Sequence, residues 1–186
     1  MKRRALLKLG MGAAAFVLAG QRPAFADLEP DRWWSTYRRY HLMIVGPRDD
    51  EIAISLARAV VAVLAAFLPG SRALLARAAD TRRVGVLIAS NQQDVAIMSA
   101  DSAEALVLGK APFDDVRNAP LSLIVSFGSH VLVCRPDFRA RDAYLLAQAL
   151  AEHKDALPTP AGAPARMVPA HRGSHAFFAG AKMPKD

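Results

Sequence analysis

The chain has 186 residues, 24 of them Lys or Arg against 17 Asp or Glu, and a single cysteine. The high pI is concentrated at the start: Lys2, Arg3, Arg4, Lys8 and Arg22 all precede Asp27, which leaves 19 basic groups against the 17 acidic ones after Ala26. That near balance gives no electrostatic footprint for nucleic acid, and the length beyond Ala26 suffices for one domain with its own core.

Met1–Ala26 reads as an export signal: a basic start, an uncharged stretch through Gly20, and Ala24-Phe25-Ala26 as the small-x-small cleavage pattern. Processing after Ala26 sends the mature chain to the periplasm. The apolar stretch is short for a membrane anchor. Arg3-Arg4 followed by Leu6, Leu7 and Lys8 looks like a twin-arginine (Tat) signal. Sec signals also carry basic starts, so the route stays open. One thiol in an exported chain means no internal disulfide. Cys134, beside the apolar Val131–Val133, is expected to be a buried small hydrophobe.

Trp33, Trp34, Tyr37 and Tyr40 lie among charges in an amphipathic lead-in. They read as folding back on the domain's own surface in preference to forming a partner-binding patch. His41–Val45 is the first strand candidate, and Gly46-Pro47-Arg48-Asp49-Asp50 the turn after it. Ile52, Leu56, Val60, Leu64 and Leu68 recur every four residues, which predicts a helix over 52–68 ended by Pro69-Gly70. Asp49, Asp50 and Glu51 sit where its dipole favours negative charge. Arg58 at its centre argues against a membrane span.

Arg72–Ala79 predicts a second strand with Arg72 and Arg77 exposed. Thr81–Ser90 carries Val84, Val86 and Ile88 in alternation, which also suits a strand. Helix is the reading adopted, because Asp80 can cap it and a crossover is needed before the next strand. That strand is Asp94–Ala100, whose core Val95-Ala96-Ile97-Met98 lacks polar alternation, as expected of a strand buried on both faces. Ser99, Asp101 and Ser102 follow as helix-cap candidates, with Asp101 and Glu104 at capping-box spacing. The helix stops near Gly109, before Pro112.

Leu121–Phe127 and His130–Cys134 are two β-rich runs around Gly128-Ser129, and Arg141–Ala156 is an amphipathic helix. Pro158–Pro169, with four prolines, reads as an extended linker to a short last helix around Ala170–Ala179. The domain reading is therefore signal 1–26, α/β lobe 27–157, linker 158–169 and terminal helix 170–186. The order β-α-β-α-β-α then β-β-α predicts an α/β fold: an open, mostly parallel sheet with helices on both faces.

Several segments, in order, carry a family resemblance. Leu68-Pro69-Gly70 closes the long helix. Asp94-Val95-Ala96-Ile97-Met98-Ser99-Ala100-Asp101-Ser102-Ala103 is similar to an element of the form D-L-A-I-V-Q-S-D-V-A. Gly109-Lys110-Ala111-Pro112-Phe113 matches G-K-x-P-F, and Val168–Phe178 looks like a closing P-x-H-x-G-A-x-x-Y-Y. Together they resemble the TAXI group of solute-binding proteins, the periplasmic receptors of TRAP-type transporters, which are type II periplasmic binding proteins with two α/β lobes. The resemblance spans most of the chain after Ala26 but leaves no room for a second lobe, implying a single lobe. The family's ligand-gripping loop after the first strand is replaced by Gly46-Pro47-Arg48-Asp49-Asp50, whose acids would repel carboxylates, partly offset by Arg48.

The resemblance and the strand-end position nominate Ser99, Asp101, Ser102, Gly46 and Arg48 as ligand-binding residues. A single lobe cannot enclose a small molecule. The first functional reading is therefore a non-catalytic exported protein that binds a periplasmic partner, or a second copy of itself, or weakly a small solute. A true receptor delivering a carboxylate or amino acid to a permease is the alternative. A metal carrier using His171 and His175, spaced i, i+4, with His130 or His153 as a third ligand, comes third, although Gly173 between them weakens a shared helix face. No resident cofactor is implied: P-loop, G-x-G-x-x-G and G-x-S-x-G patterns are lacking.

Overall fold

The computed structural model describes residues 41–116, 119–165 and 167–185. The expected signal and the aromatic lead-in lie outside them. Five strands form one sheet: β1 (Met43–Pro47), β2 (Leu74–Ala78), β3 (Val95–Ser99), β4 (Ser122–Phe127) and β5 (His130–Cys134). Their spatial order is β2-β1-β3-β5-β4. β1 pairs in parallel with β2 and β3, whereas β5 is antiparallel to both β3 and β4, so four of the five strands share a direction. The fold is α/β with a mixed, mostly parallel open sheet, as the element order predicts.

The helices are α1 (Glu51–Phe67), α2 (Thr81–Ala89), α3 (Ala100–Leu108), α4 (Ala140–Glu152) and α5 (Arg172–Phe178). They cover both faces. Strand alternation sorts the core in two. Val95, Ile97, Leu132 and Cys134 pack under α1 and α4 with Leu56, Val60, Leu64, Leu146 and Leu150. Ala96, Met98, Val131 and Val133 face the other way, onto Val84, Ile88, Leu106 and Phe113. β3 and β5 are therefore buried on both sides, and their unbroken apolar runs follow from that.

Alternation fails once. The β4–β5 register jumps between Leu123 and Val125, leaving Ile124 as an extra residue. This bulge puts Ile124 and Val125 on the same side of the sheet, and the Ser174 hydroxyl donates to the Ile124 carbonyl. Cys134 is fully buried, as expected, and burial, with lesser contributions from Asp137 and Asp94, pushes its thiol far above the ordinary range.

Several expectations are corrected. β1 begins two positions later than His41 and takes in Gly46 and Pro47, because Arg48 N–H still bonds to the Ala78 carbonyl at 3.1 Å. β2 starts at Leu74, since Arg72 is left-handed (φ 46°) and closes a 3-10 turn, Pro69–Ser71. Arg72 and Arg77 are both exposed, as expected. Thr81–Ala89 is helical, with Asp80 accepting from Arg83 N–H at 2.6 Å. The capping box at Asp101 and Glu104 does not form. Ser99 is the cap, and Asp101 lies inside the helix, exposed in its first turn. α4 ends at Glu152, and a separate 3-10 turn spans Lys154–Ala156.

The proline-rich segment is extended but is not a free spacer. Ser126 and Gly162 exchange two backbone hydrogen bonds (3.0 and 2.8 Å), and Leu123 N–H reaches the Pro169 carbonyl at 2.8 Å. His171 N–H then donates to the Leu123 carbonyl at 2.8 Å. The outer edge of β4 is thereby covered. α5 packs against α4 so closely that a Cβ on Gly173 would lie 1.9 Å from the Ala140 carbonyl oxygen.

Candidate functional site

In open α/β sheets the crevice forms where successive connections leave in opposite directions at the carboxyl ends of the strands. Here that point lies between β1 and β3. β1 connects outward to β2, and the chain returns across it to β3. The loop after β1 carries Arg48, Asp49 and Asp50, and α3 starts directly from β3 with Ser99, Ala100, Asp101 and Ser102. The β4–β5 turn, Gly128-Ser129, arrives at the same end, with Ser99 opposite His130 in register. All five nominated residues thus lie along one edge of the sheet.

The edge is filled from within. Asp50 caps α1, accepting from Ala53 N–H at 2.9 Å. Its second carboxylate oxygen accepts from His130 Nε2 at 2.9 Å, and His130 Nδ1 meets the Ser129 hydroxyl at 3.0 Å. An ionised Asp50 can only accept, so His130 Nε2 carries the proton of their bond. His130 is buried and Asp50 mostly so. Burial pushes the Asp50 carboxyl up, but hydrogen bonds from Ala53, His130 and Ile52 and the charge of His130 together hold it below its ordinary value. Asp49 accepts from both the N–H and the hydroxyl of Thr81, at 3.2 and 3.1 Å, tying the β1 loop to the start of α2.

Ser99 and Ser102 are brought together, but to each other. The Ser99 hydroxyl donates to Ser102 Oγ at 2.8 Å and accepts from Ser102 N–H at 3.2 Å. At α1, α2 and α3 alike, an N-terminal N–H that could hold an anion goes to the protein's own side chain: Asp50, Asp80 and Ser99. Gly46 lies in β1, where an added Cβ would press on Ile54 at 3.3 Å. Its role is close packing of α1 on the strand.

Ser129, His130 and Asp50 stand in the order of a nucleophile, a base and an orienting acid. Two backbone donors at this end of the sheet are spent, because Ala100 N–H goes to the Ser129 carbonyl at 2.9 Å and Ser102 N–H to Ser99. An oxyanion formed there would lack those partners. The chain of bonds instead pins α1, β5 and the β4–β5 turn together. Sequence reading missed Asp50 and His130 as a pair, because they stand 80 positions apart in the chain. The available signal was Asp50 at an N-cap position.

The histidines nominated for metal are separated. His171 is buried and caps α5, with Nδ1 accepting from Gly173 N–H at 3.2 Å, while His175 is exposed. No cluster of three or more metal-binding side chains occurs among the described residues. The larger cleft, of about 700 Å³, lies at the opposite end of the sheet, lined among others by Met43, Asp94, Phe138, Arg139 and Leu145. None of the five nominated residues lines it. A second cleft of about 400 Å³ does include Arg48, beside Glu51, Ile54, Arg58 and Arg77. No described helix is long and apolar enough to cross a membrane. No family model matches the chain, and no curated protein matches it.

Proposed function

We propose that the chain is an exported, non-catalytic binding protein, a single-lobe relative of TAXI-type receptors, which works by holding a protein partner or a second copy of itself in the periplasm. One observation carries this reading. The Asp50 carboxylate occupies the helix N-terminus at the sheet's switch point, where a receptor of this architecture would hold a ligand carboxylate, and His130 completes its bonding. A small anion would have to displace a group already hydrogen-bonded on both oxygens. Macromolecular contact needs no such displacement.

Light scattering on the processed protein is expected to give a dimer, or a stable complex with a co-purified periplasmic protein. A clean monomer that holds nothing would count against the reading. The solute-receptor alternative finds support in the larger cleft, whose volume suits a small molecule. Thermal shift against small carboxylates and amino acids separates the two. A ligand at 100 times its Kd adds about 2.7 kcal/mol to stability and raises the melting point, whereas the partner-binding reading expects no rise.

A further inference from the structure

The two edges of the sheet are treated differently. β4 is closed by backbone bonds from Gly162, Pro169 and His171. β2, at the other end, pairs with β1 alone among the described residues. Leu74 N–H bonds to the Leu42 carbonyl, and the Ala78 carbonyl receives Arg48 N–H. By strand alternation the backbone groups of Leu75 and Arg77 therefore face away from β1, on the open side. Leu74 is 38% exposed, unusually bare for an apolar strand residue here.

Beside that edge lies the 400 Å³ cleft. Leu75 belongs to the α1 side of the core and Ala76 and Ala78 to the other. Alternation thus sends Arg77 towards α1, where it lines the cleft with Arg58, Arg48 and the apolar Ile54. Glu51 is the single acid there, and Arg48, Arg58 and Arg77 form no ion pair among the described residues. One charge on an edge strand discourages chance pairing. Three guanidinium groups around one depression, with the apolar Ile54 among them and strand donors alongside that pair with no other strand among the described residues, form a surface complementary to an acidic extended chain.

We propose that β2 and the arginine cleft together dock an acidic, extended peptide segment of a partner protein, which adds to the sheet as a further strand and lays its carboxylates against Arg48, Arg58 and Arg77. This rests on the partner-binding reading and names the chemistry of the partner. Main-chain bonds to Leu75 and Arg77 supply affinity, and alternate acidic side chains supply selectivity.

The test is fluorescence anisotropy on the processed protein, with a labelled peptide alternating glutamate and valine and matched in length to β2. Binding is expected, weakened by salt. It is expected to fall about tenfold or more when Arg58→Glu and Arg77→Glu are combined. Both side chains are exposed, so the melting curve should hold, and Arg58→Gln with Arg77→Gln serves as the milder pair. N-methylation of alternate peptide nitrogens should abolish binding, because the strand then cannot donate. The inference is overturned if the acidic peptide does not bind, if a lysine–valine peptide binds as well, if N-methylation has no effect, or if glutarate alone competes equally. If peptide binding fails while light scattering still shows a dimer or complex, only this inference falls. A monomer that binds no peptide overturns both.

Discussion

Asp50 shows how one side chain can occupy a helix N-terminus from within the fold. It caps a 17-residue helix and pairs with a histidine two strands away. Asp50→Ala removes the cap, worth about 1 kcal/mol, and leaves the buried His130 Nε2–H without its acceptor, costing about 1–3 kcal/mol more. Urea denaturation should therefore show a loss of roughly 2–4 kcal/mol. The sign of the pH dependence follows from the depressed carboxyl. The folded form holds its charge more firmly than the unfolded one, so the contribution is complete above the unfolded value, near 3.8, and vanishes as pH falls through the lower folded value. The gap in stability between the parent and Asp50→Asn should accordingly be widest at neutral pH and narrow below pH of about 4. A gap that widened on acidification would contradict the assigned bond.

At the scale of elements, α4 and α5 meet in close backbone contact at Gly173 and Ala140. Gly173 N–H is the donor His171 accepts, and any Cβ there would collide with the Ala140 carbonyl. Gly173→Ala should cost more than about 2 kcal/mol, near the upper end of overpacking penalties, because the obstacle is backbone and cannot rotate aside. A thermal melt that hardly moved would mean the two helices can slide apart freely. From the sequence, glycine in an otherwise helical stretch reads as a weakness, and its reason lies in Ala140, on a different helix. The same limit explains the proline-rich segment. Its composition foretells extended backbone, but nothing local says that Gly162 and Pro169 will find β4.

For the molecule as a whole, the layered α/β architecture was legible because β3 and β5 carry the unbroken apolar runs Val95–Met98 and Val131–Cys134 and α1 repeats every four positions. Helix over strand at 81–89 was decidable from Asp80 and the need to cross the sheet. That the nominated residues would share one end of the sheet was legible too, since strand ends followed by capping residues mark the switch point. The condition of that end was not. Asp50 turns inward onto His130, Ser99 serves Ser102 in place of a box at Asp101, and three arginines gather beside β2. The first and last of these depend on contacts between stretches of chain that no local pattern links. At this scale the expected behaviour is association, read by light scattering, with Arg58→Glu and Arg77→Glu weakening whatever complex forms by the β2 route.

The closure of β4 also bears on when folding can finish. Gly162, Pro169, His171 and Ser174 supply the last hydrogen bonds to that strand, so a growing polypeptide must be made past them before its sheet is sealed. An apparatus that passes only finished cargo would therefore have to wait for them. Truncating the chain after Leu157 should leave β4 raw and sticky, and such a product should accumulate as aggregate in sedimentation of the cell extract.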